Sequence, residues 1–266
     1  MIEGQEDVTW DQWVALARAC EESGIETLFR SDHYLSVQGA HGRGSLDAWA
    51  TVNALAAITS RLRLGTLVSP ATFRHPSALA KMVVTADHVS GGRVELGMGA
   101  GWLEAEHRAY GFPFAGTRTR IDVLAEQLEI VHRSWEPGPF SFQGEHYTIE
   151  DLDALPKPVQ QPHPPLLLGG SGGPRSLALA ARWADEYNMP FAPPERCREV
   201  REALAEACSR EGRDPLPLSV MIGLAGVGEE QLRDYESAGV ERVMLHHLEH
   251  TDLDAVARVG RELAAR

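Results

Sequence analysis

Eight short apolar runs, each closed by Gly, Pro, His or an acidic residue and each followed by a helical pattern, constrain this chain more than any other feature. They span residues 1–4, 27–33, 63–70, 93–101, 165–170, 186–191, 218–226 and 241–247. Strand then helix, repeated eight times, is the sequence form of an α/β fold of the (β/α)8 TIM-barrel type. In that architecture the strand ends and the loops after them carry the chemistry. The polar groups that close the runs therefore share one mouth: Glu3, Asp32 with His33, Ser69, Gly99, Gly101 and the glycines from 169 to 173. An enzyme is the leading expectation before any motif is read.

Size and charge agree. A chain of 266 residues suits one barrel, and no linker-like stretch divides it, so residues 1–266 are expected to form a single domain. A net charge of −13 argues against nucleic acid or an anionic membrane as partner. No secretory leader, membrane span or lipidation motif is visible. Cys20, Cys197 and Cys208 lack metal or redox spacing. They read as buried thiols in a reducing, cytoplasmic setting.

The helices have their own punctuation. Thr9 and Gln12 form a capping-box pair, and Gly24 is a natural stop. Later helices are expected near 46–59, 75–89, from 119, and over 175–184, 194–211, 229–238 and 253–264. Two long excursions interrupt the alternation: an irregular segment at 102–118 after the fourth run, and the proline-rich stretch 135–164 before the fifth, with a hairpin pattern at 140–149. The first run is too short for an ordinary strand of about five or six residues. Either that strand is truncated, as by a misassigned start, or neighbouring loops cover the gap.

Three motifs carry chemistry. Gly169-Gly170-Ser171-Gly172-Gly173-Pro174 joins the fifth strand to a helix. Successive backbone N–H groups backed by a helix N-terminus suit phosphate, and Arg175 could add a charge-assisted contact. A tight turn without ligand is the plainer reading. Gly97-Met98-Gly99-Ala100-Gly101 ends the fourth strand. It fits either a flat ring lying against the backbone or a simple lack of space inside the barrel. His33 can donate a hydrogen bond or move a proton, Asp32 either fixes its tautomer or faces the barrel interior, and Glu3 is a further acid. His246, His247, Glu249 and His250 cluster after the last strand. Adjacent strand residues point to opposite faces, so no metal site is expected there.

Ser31-Asp32-His33, the segment from Arg63 to Pro76 (RLGTLVSPATFRHP), the segment from Ser90 to Trp102 (SGGRVELGMGAGW) and the segment from Pro156 to Gly173 (PKPVQQPHPPLLLGGSGG) together resemble the luciferase-like monooxygenase superfamily, most closely its branch that uses the deazaflavin coenzyme F420. The resemblance spans the chain, and Met1 to Gln5 resemble the end of that family's first strand. It implies an oxidoreductase that transfers a hydride between F420 and a small organic substrate. FMN-dependent monooxygenation of an alkanesulfonate-like or aldehyde substrate is the alternative, and a non-catalytic cofactor-binding barrel the alternative of another class. It implies His33 at the ring edge as the catalytic residue. Leu67 and Val68 would form a bulged strand end with a non-proline cis peptide, Gly99 and Gly101 would lie near the ring, and Gly170, Ser171, Gly172 and Gly173 would hold phosphate. A homodimer is implied as well. Two departures argue against sugar-phosphate substrates. Trp102 stands where related sugar-phosphate dehydrogenases carry an acid, and Val37 where they carry tryptophan. Trp102, Phe112 and Phe114 then read as an apolar substrate wall or as loop packing.

Overall fold

The computed structural model describes residues 1–39, 42–225 and 227–264. Their elements are, in order, α1 (Trp10–Ser23), β1 (Thr27–Arg30), α2 (Ala48–Ile58), β2 (Arg63–Pro70), α3 (Pro76–Ser90), β3 (Val94–Gly99), α4 (Glu104–Tyr110), α5 (Thr117–Trp135), β4 (Phe140–Gln143), β5 (Thr148–Leu152), β6 (Leu166–Gly169), α6 (Pro174–Trp183), β7 (Glu186–Pro190), α7 (Pro194–Arg210), β8 (Leu218–Gly223), α8 (Glu229–Ser237), β9 (Arg242–His246) and α9 (Leu253–Ala264). Seven strands pair in parallel in the order β1-β2-β3-β6-β7-β8-β9. The sheet curls until Ile2 bridges its two edges, pairing in parallel with Arg30 and with His247.

The eighth stave, expected over residues 1–4, is thus a single bridging residue. The chain turns immediately afterwards, and only a few backbone bonds form: Ile2 N–H donates to Phe29 O, Ser31 N–H to Ile2 O and His247 N–H to Met1 O, each at 3.0 Å. On the other side of Ile2 a cavity of about 520 Å3 separates β1 from β9, lined by Leu16, Cys20, Ile25, Leu28 and Val243 among others. Gly226, the end of the expected seventh run, lies outside the described residues.

Helix boundaries follow their caps. Thr9 and Gln12 make the reciprocal capping box and Gly24 closes α1 with φ 80°; Pro76 opens α3 and Gly91 closes it with φ 67°. The excursion expected to be irregular at 102–118 instead contains α4. Seven residues are too few to show a periodicity, but Glu104 and Glu106 sit in its first turn, His107 and Arg108 in its last, and Gly111 stops it in the left-handed region. The 135–164 excursion contains the antiparallel pair β4–β5. Its proline-rich tail then runs beneath the barrel, where Gln160 accepts a hydrogen bond from Arg63 and donates to Asp87 and the Val94 carbonyl. All three cysteines are buried free thiols. No helix among the described residues is long and apolar enough to cross a membrane.

Strand alternation sorts side chains into two cores. One face packs on the helices as the large outer cluster. The other fills the barrel in layers: Thr27, Arg63, Glu95, Glu186 and Arg242 at the floor, then Phe29, Leu67, Leu167, Met221 and Met244. Above them β2 breaks register between Thr66 and Ser69, and the Leu67–Val68 peptide is cis, as the resemblance implied. Val68 there occupies room left by Gly97, Gly99 and Gly169, whose absent side chains would each collide with it.

A Cβ at Gly97 would also overlap the Thr66 carbonyl oxygen. Gly97→Ala is therefore expected to lower stability by about 1–3 kcal/mol, the usual cost of overpacking. Gly223→Ala, which adds its Cβ to open space, should change little. Chemical denaturation of the two variants checks this; equal midpoints would show that β2 can yield.

Candidate active site at the barrel mouth

His33 follows β1 at the strand-end rim, and its Nδ1 lies 2.7 Å from Glu106 Oε1. The partner comes from α4, seventy-three positions away, and was not singled out as its partner from sequence. Glu106 Oε2 accepts the Tyr34 N–H at 3.0 Å, so both carboxylate oxygens are engaged. Asp32, the neighbour in sequence, does not orient the imidazole. It accepts from Ser69 Oγ and Arg74, both at 2.6 Å, and Arg74 reaches on to Asp47. Asp32 therefore anchors the loop, while Glu106 sets the tautomer. With Nδ1–H given to the carboxylate, Nε2 is the free nitrogen; it has no protein partner among the described residues and is open to solvent.

Burial opposes charge on His33, but the Glu106 hydrogen bond and charge, with Glu3 and Asp32 acting through space, outweigh it and raise the pKa. The folded state thus favours the imidazolium. Trp102 lies edge-on to the ring, with centroids 5.6 Å apart, and is itself 61% exposed. It is the one residue of the expected aromatic wall that faces the mouth's imidazole. Phe112 and Phe114 pack instead on Phe73, His107 and Arg120, which is loop packing.

Opposite, the loop after β6 presents amides. Gly170 N–H is taken by Asn188 O at 3.0 Å and Gly172 N–H by the Tyr187 hydroxyl at 2.9 Å. The amides of Ser171, Gly173, Arg175 and Ser176 have no hydrogen-bond partner among the described residues, as first-turn donors commonly lack. Pro174 opens α6, so its ring replaces one N–H. The Arg175 side chain is engaged by Asp122 and the Arg118 carbonyl. Arg196 stands over the loop in its place, donating to the carbonyls of Ser171 and Gly172. The arrangement suits an anion on the free amides. Gly99 and Gly101 have packing reasons of their own. The first makes room for Val68 and the second, with φ 77°, turns beside Thr72.

Across the mouth from β6, His246 and His247 point apart as expected: His246 Nε2 lies 2.8 Å from Glu3 Oε1, whereas His247 Nε2 lies 3.2 Å from the Asp252 carbonyl. Among the described residues no cluster of His, Cys, Asp and Glu has the form of a metal site.

Comparison with known proteins bears on this geometry. The family profile described as luciferase-like monooxygenase matches residues 2–257. The uncharacterized protein Rv0953c of Mycobacterium tuberculosis is 33% identical over 95% of this chain and 92% of its own length. An F420-dependent hydroxymycolic acid dehydrogenase of the same organism is 29% identical over 87% of this chain and 63% of its length. An FMNH2-dependent dimethylsulfone monooxygenase of Pseudomonas putida is 30% identical over 65% of this chain and 46% of its length. The solved structure of an F420-dependent secondary alcohol dehydrogenase, in complex with an F420-acetone adduct, superposes with a TM-score of 0.85 at 17% identity, covering 100% of this chain and 98% of the other.

Glu106→Gln removes the largest causes that raise the His33 pKa and leaves burial, which lowers it, opposed only by the Glu3 and Asp32 charges. The imidazole should then lose its proton at lower pH than in the parent. The stability that the pair contributes is present while His33 is charged and fades as pH rises through its raised pKa; in the variant that fading should vanish. NMR titration of the ring reads both proteins, and an unchanged titration would show that Glu106 does not set the charge.

Proposed function

The chain belongs to the luciferase-like monooxygenase family, and on that basis we propose that it is an F420-dependent oxidoreductase acting on a small, largely apolar alcohol or carbonyl compound. The observation that carries the reading is the meeting at one rim of a proton-bearing imidazole, His33, with unpartnered amides at the start of α6. A hydride-transfer site needs both: a group to exchange the proton that accompanies the hydride, and a fixed hold on the cofactor's anionic tail. The 29% identity to an F420-dependent dehydrogenase over 87% of this chain supports F420, whereas the FMNH2-dependent relative matches 65% of the chain.

The residues fit such a group. Ser171, Gly173, Arg175 and Ser176 would hold the phosphate through their amides. Leu67 and Val68 would back the ring from the bulged end of β2, and Trp102 would wall the substrate side. When bound, deazaflavin supplies a carbon hydride donor or acceptor that reacts poorly with oxygen. His33 Nε2 exchanges the proton with the substrate oxygen: in reduction the N–H bond breaks as the O–H bond forms, and in oxidation the reverse. Glu106 holds the ring in place and favours its protonated form. Trp102, edge-on to the ring, would cover one side of the exchange.

Two experiments test this. Titration with F420 and separately with FMN should show binding of the first; tight FMN binding with no F420 affinity would overturn the proposal. Gly172 is a poor place to block the phosphate, because a Cβ there would strike Val200 and its φ is 79°. At Gly173 a Cβ meets only Ser176 Oγ, at 3.9 Å, and the residue caps α6, where Asp is favoured. Gly173→Asp should therefore keep the fold and weaken cofactor binding at least tenfold, about 1.4 kcal/mol. An unweakened variant would remove phosphate from this loop.

His33→Ala should slow turnover by about 10²–10⁴-fold, the usual range for a lost acid–base group, with cofactor affinity nearly unchanged. Steady-state rates with reduced and oxidised F420 measure it, and unaltered turnover would make His33 structural.

A further inference from the structure

The mouth holds a second histidine–carboxylate pair that the reaction above does not use. His246 ends β9 and, by strand alternation from Arg242 and Met244, turns into the barrel. Its Nε2 lies 2.8 Å from Glu3 Oε1, and Gln5 Nε2 donates to Glu3 Oε2 at 2.6 Å. Glu3 comes directly after Ile2, so the seam residue that bridges β1 and β9 also delivers this carboxylate to His246. Burial would favour neutral Glu3, but hydrogen bonds from His246, Gln5 and Ser31 overcome it and hold the pKa down to about 2. The carboxylate therefore accepts a hydrogen bond from Nε2–H. Nδ1 is left; it has no protein partner among the described residues and, although His246 is only 8% exposed, it is not fully enclosed.

An aromatic residue stands over this pair as Trp102 stands over the other. Phe191 lies edge-on to His246, with ring centroids 5.2 Å apart at 81°, and is 55% exposed. Its φ of 51° is one that bulky L residues rarely adopt, and its N–H is fixed to Met221 O at 2.8 Å. A large apolar side chain is thus held at the mouth in an unfavoured backbone conformation, in contact with the imidazole.

We propose that His246, oriented by Glu3, contacts the substrate through Nδ1 as a second polar anchor of the mouth, with Phe191 as the apolar wall beside it. This rests on the mouth being the substrate site. The ligand class is an apolar alcohol or carbonyl compound whose carbon skeleton lies between Trp102 and Phe191 and whose oxygen functions meet the free nitrogens. An entirely apolar ligand would leave Nδ1 desolvated and unpaired, which is unfavourable. Glu3 acts through His246 and is a positioning residue.

Diethyl pyrocarbonate labelling with peptide mapping tests access without any cofactor. His246 and His33 should be labelled, whereas His107, whose two ring nitrogens meet Leu103 O and Thr72 Oγ1, should not. A folded parent in which His246 stays unlabelled overturns the proposal. Turnover with oxidised F420 of 1,3-butanediol, which has a second oxygen for Nδ1, and of 2-propanol, which has none, tests contact. His246→Ala and His246→Gln should bind F420 like the parent and lose about tenfold in kcat/KM for the diol, the worth of one hydrogen bond, with 2-propanol little changed. Added imidazole should restore part of the loss in His246→Ala but not in Glu3→Gln, where the ring is present and misdirected. Parental kcat/KM for the diol in both His246 variants, or a loss that imidazole does not restore, overturns it. A parent that binds no F420 or turns over neither alcohol counts against the proposed function, and labelling alone then decides the role of His246.

Discussion

The charge cluster at the barrel floor holds the molecule's geometry together. Glu95 accepts from Arg63 Nε at 2.7 Å and from Arg242 Nη1 at 2.9 Å, and Arg242 also reaches Glu186 and the Thr27 hydroxyl. Five of the seven barrel strands thereby share one network. Buried charges are tolerated only when paired and hydrogen-bonded, so the strands can approach no farther and separate no wider than these contacts permit. The bond from Arg242 to Thr27, at 3.0 Å, crosses the seam between β9 and β1. There the backbone ladder is reduced to Ile2. Side-chain pairing at the floor does part of what a full strand would do, and the cavity beside Met1 persists because neither edge strand can close on the other.

A closed floor makes an open mouth useful. Going up the interior, charges give way to Phe29, Leu67, Leu167, Met221 and Met244, and then to glycines on β3, β6 and β8. Val68 uses the room at Gly97, Gly99 and Gly169, while Gly223 faces open space. The upper barrel is therefore shaped by one valine and several missing side chains, with polar groups only at its edge: His33, Glu3, His246 and the loop after β6. Water and ligand can reach the rim without reaching the charged floor.

Most of this was legible before the fold was known. Strand–helix alternation located seven strands, and the caps at Thr9 and Gly24 located the ends of α1, because those signals are local. The rim position of His33 followed from its place at a strand end. What was not legible is long-range. Asp32 is adjacent to His33 in sequence and invites a pairing, yet strand geometry turns it toward Ser69 and Arg74. Glu106 lies a few residues after the β3 glycines, but nothing in its neighbours says that it is buried or that it meets His33. The available signal was the density of acids just after the β3 glycines, close to the mouth by topology. The first strand also resisted reading, since a single bridging residue has no periodicity.

Glu106 is held by packing rather than by its own helix. A helix of seven residues with no side-chain cap is too short to persist alone. Tyr34 stacks between Phe73 and Tyr110, with centroids 5.1 and 4.9 Å away, and Phe112 joins them against Phe73 at 5.2 Å. His107, next to Glu106, bonds Thr72 Oγ1 at 2.6 Å, tying α4 to the loop after β2. The Glu106–Tyr34 bond then links carboxylate, aromatic stack and the His33 segment in one unit. Because Glu106 contributes most to outweighing burial at His33, docking of α4 favours the charged imidazole. The proton-bearing state of the site and the folded state of the excursion are thus linked: whatever loosens the aromatic stack also lowers the pKa of His33.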